Sequence, residues 1–343
     1  MMRYFFPLTL AFLILFASFW AGIWWWSSIR VEEQFLRWQA RQAAEGRDFT
    51  FADMSVGGFP THLRLNLTQP SMVDASGWQW SGPDLTAEAA LWQPRRVSLE
   101  FPGTHVFEPP ERSLLAPLEL AAGVAEGDVW FDRRGLVDGM RLTFQRLALA
   151  GYFNGGTSAQ ALDVAWGRAI AEDQANGASR GVGDVPFFLA IDELELPSAA
   201  EPPLGRSLQE LSAEGTIEGW LELGPPEEVI PAWAERGGQA QVEELRMTWG
   251  PLRLEGDASL TLDQERRPLG AGHARVQGFE AAVQAFTEAG LVEQDIGSMA
   301  RMALLAMSQD SSDGQREIEV PITAQDGVLR VGPLPLLPLP PLF

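Results

Sequence analysis

The feature that most constrains this chain is an uncharged apolar run near its amino terminus. No charged residue occurs from Tyr4 to Ile29, and Arg3 and Arg30 bracket the run. At about 1.5 Å per residue, a helix of this length extends about 39 Å, which exceeds the roughly 30 Å hydrocarbon core of a bilayer. We therefore expect one transmembrane helix, with one large polar body after it.

A cleaved signal peptide is the alternative, but it needs an apolar stretch of about 7–15 residues followed by small residues at the cleavage positions. The run here is longer, and bulky Phe19 and Trp26 stand two positions before Ala21 and Ser28. We expect an uncleaved anchor. Aromatic rings favour the headgroup layers, and the predicted membrane-interface residues are Tyr4 at one end and Trp20, Trp24, Trp25 and Trp26 at the other.

The charges beside the anchor leave its orientation open. Arg3 lies on the short side, whereas Arg30, Arg37 and Arg41 lie on the long side, which argues for a body kept in the cytoplasm. A short basic amino-terminal tail held inside argues for the reverse, and we favour a periplasmic body.

Composition excludes several classes of function. The formal net charge is −21, which repels phosphate backbones and argues against nucleic-acid binding. The chain has no Cys, which excludes disulfides and thiolate sites. It also has no Lys, which excludes phosphate-binding P-loops and Schiff-base chemistry.

Alternating apolar residues predict closely spaced strands after the anchor. Leu63, Leu65 and Leu67 share one face, as do Val97, Leu99 and Phe101, and turn signals such as Gly82-Pro83 separate the runs. We predict an α+β, strand-rich protein with a long, twisted, mainly antiparallel sheet and a few packed helices. Its parts are an anchor over 1–30, a juxtamembrane helix over 31–46 and a periplasmic β-rich domain over 47–343.

Irregular steps and helical periods refine this pattern. The spacing after Phe144, and again after Ile191, is odd and predicts two β-bulges. Helices are expected over 225–238 and 279–310, the second broken at Gly290. The apolar stripe predicted for its later half is Ile296, Met299, Ala300, Ala303, Leu304 and Met307.

No motif indicates a catalytic, metal or cofactor site. His62, His105 and His273 have no second ligand at metal-binding spacing. Ser179 fits a GxSxG pattern, but a loop surrounds it instead of the strand and helix that the hydrolase elbow needs. The weaker candidates are the acidic pairs Glu193/Glu195 and Glu243/Glu244 and the calcium-like segment 310–314. We predict no catalytic residue and no cofactor.

The alternating apolar faces can themselves bind a ligand. A curled sheet can offer such a face to acyl chains, or the same side chains can form a dry core. The candidate lipid-groove residues are Leu63, Leu65, Leu67, Val97, Leu99 and Phe101. The segment 333–343 interleaves Pro with Leu, which fits a final strand on the sheet better than a polyproline ligand.

Several short motifs recur in a recognisable order along the chain. They are Gly58-Phe59-Pro60, Gly237-Gly238, the segments 242–254, 260–263 and 267–270, and finally 326–335. In this order they resemble the domain-of-unknown-function 2125 family of alphaproteobacteria, which is loosely similar to AsmA-like envelope proteins. The resemblance implies an inner-membrane anchor, a periplasmic body and lipid handling along a β-sheet groove. It implies no catalytic residue.

Two functions are expected on these grounds. The first is a non-enzymatic, inner-membrane-anchored envelope protein that binds or transports lipid or aids outer-membrane assembly. The alternative is a structural or protein-interaction module of the cell envelope with a dry core, with protein partners unspecified.

Overall fold

The computed structural model describes residues 5–110, 116–151, 156–173, 184–197, 202–219, 226–310, 316–332 and 334–342. The chain divides into two compact units, Met1–Tyr152 and Phe153–Phe343. Tyr4 lies outside the described residues, and so do Ser179 and most of the segment 310–314. Within the described ranges, no helix is both long enough and apolar enough to cross a membrane.

The first unit consists of one long helix and an antiparallel sheet. Its elements are α1 (Phe5–Ala44), β1 (Asp48–Thr50), β2 (Asp53–Gly57), β3 (His62–Thr68), β4 (Ser71–Val73), β5 (Gln79–Ser81), β6 (Asp84–Ala90), β7 (Arg96–Glu100), β8 (Gly103–Glu108), β9 (Leu118–Ala122), β10 (Val124–Phe131) and β11 (Val137–Ala150). The helix is continuous through residue 30, where the sequence predicted a change from anchor to juxtamembrane segment.

These strands form six antiparallel rows, each interrupted at the same level. Strand β2 pairs with β3 while β1 pairs with β4, and β6 pairs with β7 while β5 pairs with β8. Strand β11 pairs first with β10 and then with β9. We call this alignment of interruptions the break line; it comprises residues 51–52, 69–70, 82–83, 101–102, 123 and 146–147.

Backbone hydrogen bonds place the interruptions of neighbouring rows opposite each other. The Gln69 N–H donates to the Pro83 carbonyl at 2.6 Å, and the Gly82 N–H donates to the Pro70 carbonyl at 3.0 Å. Proline has no N–H to donate to a ladder, which favours an interruption of the strand at these positions. In the last row Arg146 takes a left-handed φ of 52°, which accounts for the odd step after Phe144. The register with β10 and β9 contains no extra residue there, so the predicted β-bulge is wrong.

The second unit is an antiparallel sheet with short helices. Its elements are β12 (Thr157–Gly167), α2 (Arg168–Asp173), β13 (Val185–Glu195), β14 (Ser207–Glu218), α3 (Pro226–Glu235), β15 (Gln239–Trp249), β16 (Leu252–Leu262), β17 (Pro268–Gln277), α4 (Phe279–Glu288), α5 (Gln294–Met307), β18 (Gln309–Asp310), β19 (Arg316–Gln325), β20 (Val328–Val331) and β21 (Leu334–Pro338). Strands β12 to β17 pair in chain order, followed by β19, β20 and β21.

Helices α4 and α5 cover one end of this sheet. Phe279 and Leu304 join the buried side chains of β17 and β19, among them Val276 and Ile318. Gly290 has a φ of 72° between the two helices, a left-handed conformation that Gly adopts without strain. The predicted helical segment from 279 and its interruption are therefore confirmed as far as Met307, whereas Gln309–Asp310 form β18. Glu193 has a φ of 49° at the odd step after Ile191, but the register with β12 and β14 contains no extra residue, so the predicted β-bulge is wrong.

The buried face of α5 differs from the predicted stripe. Ala300 and Leu304 are buried as expected, but Ile296, Met299, Ala303 and Met307 are exposed. Gly297 occupies the buried face instead, because an added Cβ there would meet the Thr287 side chain of α4. Helix α5 thus packs through Gly297, Ala300 and Leu304, and the missing side chain of Gly297 allows the two helices to approach closely.

Candidate functional site

The first unit carries an apolar surface that runs without interruption across its rows, which we call the inner face. Strand register aligns Val56, Leu65, Ala87, Leu99, Gly127 and Leu142 in one line across the sheet. A second line joins Met54, Leu67, Leu85, Phe101, Ala125 and Phe144. Because side chains alternate along each strand, the opposite face carries the polar partners, such as Asn66, Ser98 and Thr143.

Helix α1 covers one end of the inner face with aromatic side chains. Phe35 packs edge-on against Phe49 at 5.9 Å between ring centroids, and Trp38 does so at 5.2 Å. Leu65 and Leu67 lie in the same cluster, with 9% and 2% of their surfaces exposed. These two predicted groove residues are therefore part of a closed core.

The other predicted groove residues occupy a more open part of the inner face. Leu63, Val97, Leu99 and Phe101 are half-buried. Their neighbours on the farther rows are half-buried as well, namely Val129, Met140 and Leu142. The structure thus brings the six candidates onto one face, but it divides them between a covered part and a part that retains solvent exposure.

The half of α1 that precedes Arg30 has a different environment. Apolar side chains are exposed along it, namely Leu15, Phe16, Phe19, Ile23, Trp25, Trp26 and Ile29. Two of the predicted interface residues contact the first unit's sheet. The indole Nε1 of Trp20 donates to the Pro60 carbonyl at 2.7 Å, and that of Trp24 donates to the His62 carbonyl at 2.7 Å.

The second unit repeats the arrangement of the inner face. Strand register aligns Val164, Leu189, Ala213 and Leu245, and beside them Leu162, Ile191, Leu211 and Met247. These eight side chains are half-buried, whereas the continuation of the same lines on β17 and β19 is buried under α4 and α5. In each unit, helices therefore cover one end of an apolar sheet face and leave the rest partly accessible.

The three histidines occupy unlike environments. His62 is half-buried and His273 is exposed, each 3.8 Å from a carboxylate oxygen, of Glu88 and Asp257 respectively. His105 is 3% exposed, and its Nε2 lies 2.8 Å from the Phe101 carbonyl. Its ring stacks on Trp80 at the break line. The packing of His105 at the break line was not predicted from the sequence, although the prolines at positions 70, 83 and 102 indicated where the strands are interrupted.

Acidic side chains are concentrated on the polar face of the second sheet. The group comprises Glu214, Glu243, Glu244, Glu255, Asp257 and Glu319, with His273 and Arg275 among them. Register sets Arg275 between Glu255 and Glu319 on neighbouring strands, an arrangement typical of a solvated sheet surface. Among the described residues, no group of three or more acids and histidines is arranged to hold a metal ion. Glu193 and Glu195 are exposed on β13.

One carboxylate of the first unit is electrostatically distinctive. Burial raises the pKa of Asp128, but hydrogen bonds from Arg96 and Ser98 and the charge of Arg96 outweigh burial, so the pKa lies below its ordinary value. The Arg96 guanidinium also lies 4.9 Å from the centre of the Trp130 ring. This group fixes β7 to β10 on the polar face, behind the open part of the inner face.

Most of the chain matches the model of one protein family. The family model described as "Uncharacterized protein conserved in bacteria (DUF2125)" matches residues 24–340. No curated protein matches the chain.

Proposed function

This chain belongs to the DUF2125 family of bacterial proteins, and we propose that it is a membrane-anchored envelope protein that binds lipid acyl chains on the open part of its inner face. In this proposal, residues 4–29 cross the inner membrane and the strand-rich body lies in the periplasm. The role is non-enzymatic and consists of lipid binding or transfer, or of assistance to outer-membrane assembly.

One observation carries the proposal, namely that the inner face continues beyond the part that α1 covers. Val97, Leu99 and Leu142 are half-buried and stand in register with the core under the helix. Acyl chains match a long apolar surface of this kind, because each buried methylene contributes about 0.8 kcal/mol. The exposed apolar side chains of α1 before Arg30 support the anchor, as does the uncharged run in the sequence.

Cross-linking to lipid tests the proposal in the full-length protein. Membranes would be loaded with a phospholipid that carries a photoactivatable diazirine in its acyl chain, and adducts would be mapped by mass spectrometry. We expect adducts on peptides that contain residues 97–101 and 140–144, in addition to adducts on α1. Adducts confined to α1 would show contact with bilayer lipid alone and would contradict binding on the sheet.

A pair of matched variants makes the test specific. Val97→Glu with Leu99→Glu puts two charges on the open part of the inner face and should lower adducts on the sheet several-fold. Ser55→Glu with Gln145→Glu puts the same two charges on exposed positions of the opposite face and should leave them unchanged. An equal loss in both variants would favour the alternative, an interaction module with a dry core.

A further inference from the structure

One end of the first unit's sheet differs from the rest of its surface. The rows run antiparallel, so the β2–β3, β6–β7 and β10–β11 turns all lie at the same end. We call this the turn end; it comprises residues 58–61, 91–95 and 132–136. Each turn exposes one large apolar side chain: Phe59 is 57% exposed, Trp92 62% and Leu136 61%.

Positive charge accompanies these apolar side chains. Arg95, Arg133 and Arg134 lie within the turns and are exposed, in a chain whose formal net charge is −21. The only acid within the turns is Asp132, whose Oδ1 accepts backbone N–H groups of Arg134 at 2.7 Å and of Leu136 at 2.9 Å. The turn end therefore combines exposed apolar groups with a local excess of cations, a combination that suits an anionic lipid surface.

Helix α1 fixes the level of the turn end relative to the proposed anchor. Pro60 contacts Trp20 and His62 contacts Trp24, and Phe59 packs edge-on against Trp24 at 5.5 Å between ring centroids. Both tryptophans lie inside the predicted span of residues 4–29. Trp20 lies four residues before Trp24, about 6 Å further along the helix towards its amino terminus. A helix that enters the bilayer near Trp24–Trp26 must therefore bring the β2–β3 turn into the headgroup layer.

We propose that the turn end docks on the membrane, with Phe59, Trp92 and Leu136 inserted at the interface and the three arginines bound to anionic phospholipid headgroups. This inference rests on the proposed anchor and adds a second attachment. Aromatic side chains favour the interface, and each arginine near an anionic surface contributes about fivefold to binding. Docking at this end would set the open inner face at the bilayer surface, where acyl chains can enter.

The absence of cysteine makes the proposal directly testable. Trp92→Cys places one thiol at the turn end, and Trp78→Cys places one in the turn at the opposite end of the same row. Each full-length variant would be labelled with an environment-sensitive fluorophore in vesicles of phosphatidylcholine and phosphatidylglycerol. We expect nitroxide-labelled lipid to quench the label at position 92 several-fold more than the label at position 78. Leu136→Cys provides a second label at the turn end and should behave like position 92.

Charge variants test the role of the arginines. Arg95→Gln should lower the ratio of docked to undocked protein about fivefold on anionic vesicles and leave it unchanged on phosphatidylcholine alone. Arg253→Gln removes an exposed arginine from the second unit and should have no effect. Equal quenching at positions 92 and 78, or a buried label at 92 that lipid does not quench, would overturn docking.

Flotation with the vesicles separates this inference from the proposed function. Protein that floats but shows no lipid quenching at position 92 retains its anchor and overturns docking alone. Protein that fails to float overturns the anchor, and the docking with it.

Discussion

His105 and Trp80 lie with their rings parallel, 5.9 Å apart between centroids and inclined by only 6°. Trp80 belongs to β5 and His105 to the neighbouring β8, next to the break line. The imidazole Nε2 bonds the Phe101 carbonyl at the point where Pro102 interrupts the row. A polar ring thus satisfies a backbone acceptor that the interrupted ladder leaves without a strand partner.

Replacing this ring should destabilise the first unit. We expect His105→Ala to lower the free energy of unfolding by about 2 kcal/mol, because it removes both the stacking on Trp80 and the hydrogen bond to the Phe101 carbonyl. Thermal unfolding of the detergent-solubilised full chain, followed by tryptophan fluorescence, measures the change. His273→Ala is the control, since His273 is exposed, and an equal loss in both variants would contradict the assignment.

Gly82 should couple to the same histidine. A Cβ at position 82 would collide with the Nδ1 atom of His105. Gly82→Ala should therefore cost about 2 kcal/mol through overpacking. Together with His105→Ala it should cost clearly less than the sum of the single changes, with a coupling energy of about 1 kcal/mol. A strictly additive double mutant would show that the two positions do not share one packing site.

The later half of α1 should behave as part of the body. Trp38 packs on Phe49 over the sheet, so Trp38→Ala should lower the free energy of unfolding by about 2 kcal/mol, less than for a fully buried tryptophan. Leu36→Ala, at an exposed position of the same helix, should change it little. Unfolding of the two variants in one detergent makes the comparison. Equal stability would mean that α1 contributes nothing to the core beneath it.

Acid should weaken the polar face behind the inner face. The pKa of Asp128 lies below its ordinary value of 3.8 in the folded protein. Its contribution to stability is therefore complete above about pH 4 and is lost as the pH falls through the folded pKa. Asp128→Asn should cost about 1 kcal/mol at neutral pH, because the partly exposed pair with Arg96 is lost. It should also reduce the decrease in the free energy of unfolding that the parent chain shows as the pH falls below about 4.

An exposed aspartate provides the control for Asp128→Asn. Asp257 is mostly exposed and faces His273 at 3.8 Å. Asp257→Asn should leave both the neutral stability and its acid limb close to those of the parent chain. If Asp128→Asn leaves the acid limb as steep as before, other carboxylates must cause the loss of stability in acid.

Much of the strand pattern could be predicted from alternation alone. Leu63, Leu65 and Leu67 fall on one face because successive side chains point to opposite sides of a strand. The odd steps after Phe144 and Ile191 coincide with left-handed residues, Arg146 and Glu193, although neither step inserts an extra residue. These features could be predicted from the local sequence because they depend on the backbone geometry of one strand and not on its neighbouring rows.

The division of the candidate groove could not be predicted in the same way. Leu67 and Leu99 look alike in the sequence, yet only Leu67 lies in the core cluster with Phe35 and Trp38 of α1. Which leucine a helix covers depends on how α1 packs on the sheet, a contact between residues far apart in the chain. The turn end could not be predicted for a related reason, since only strand pairing brings Phe59, Trp92 and Leu136 to the same end of the sheet.

The break line restricts which insertions and deletions the chain can tolerate during evolution. Inward positions are even-numbered on β2 but odd at Phe49 of β1, and the same switch occurs between Leu67 and Met72. In these two rows the inward positions therefore change parity at the break line. Deletion of a single residue between a turn and the break line would move the inward side chains of that segment to the opposite face of the sheet. We therefore expect evolution to vary the side chains of these segments more freely than it changes the segment lengths by an odd number of residues.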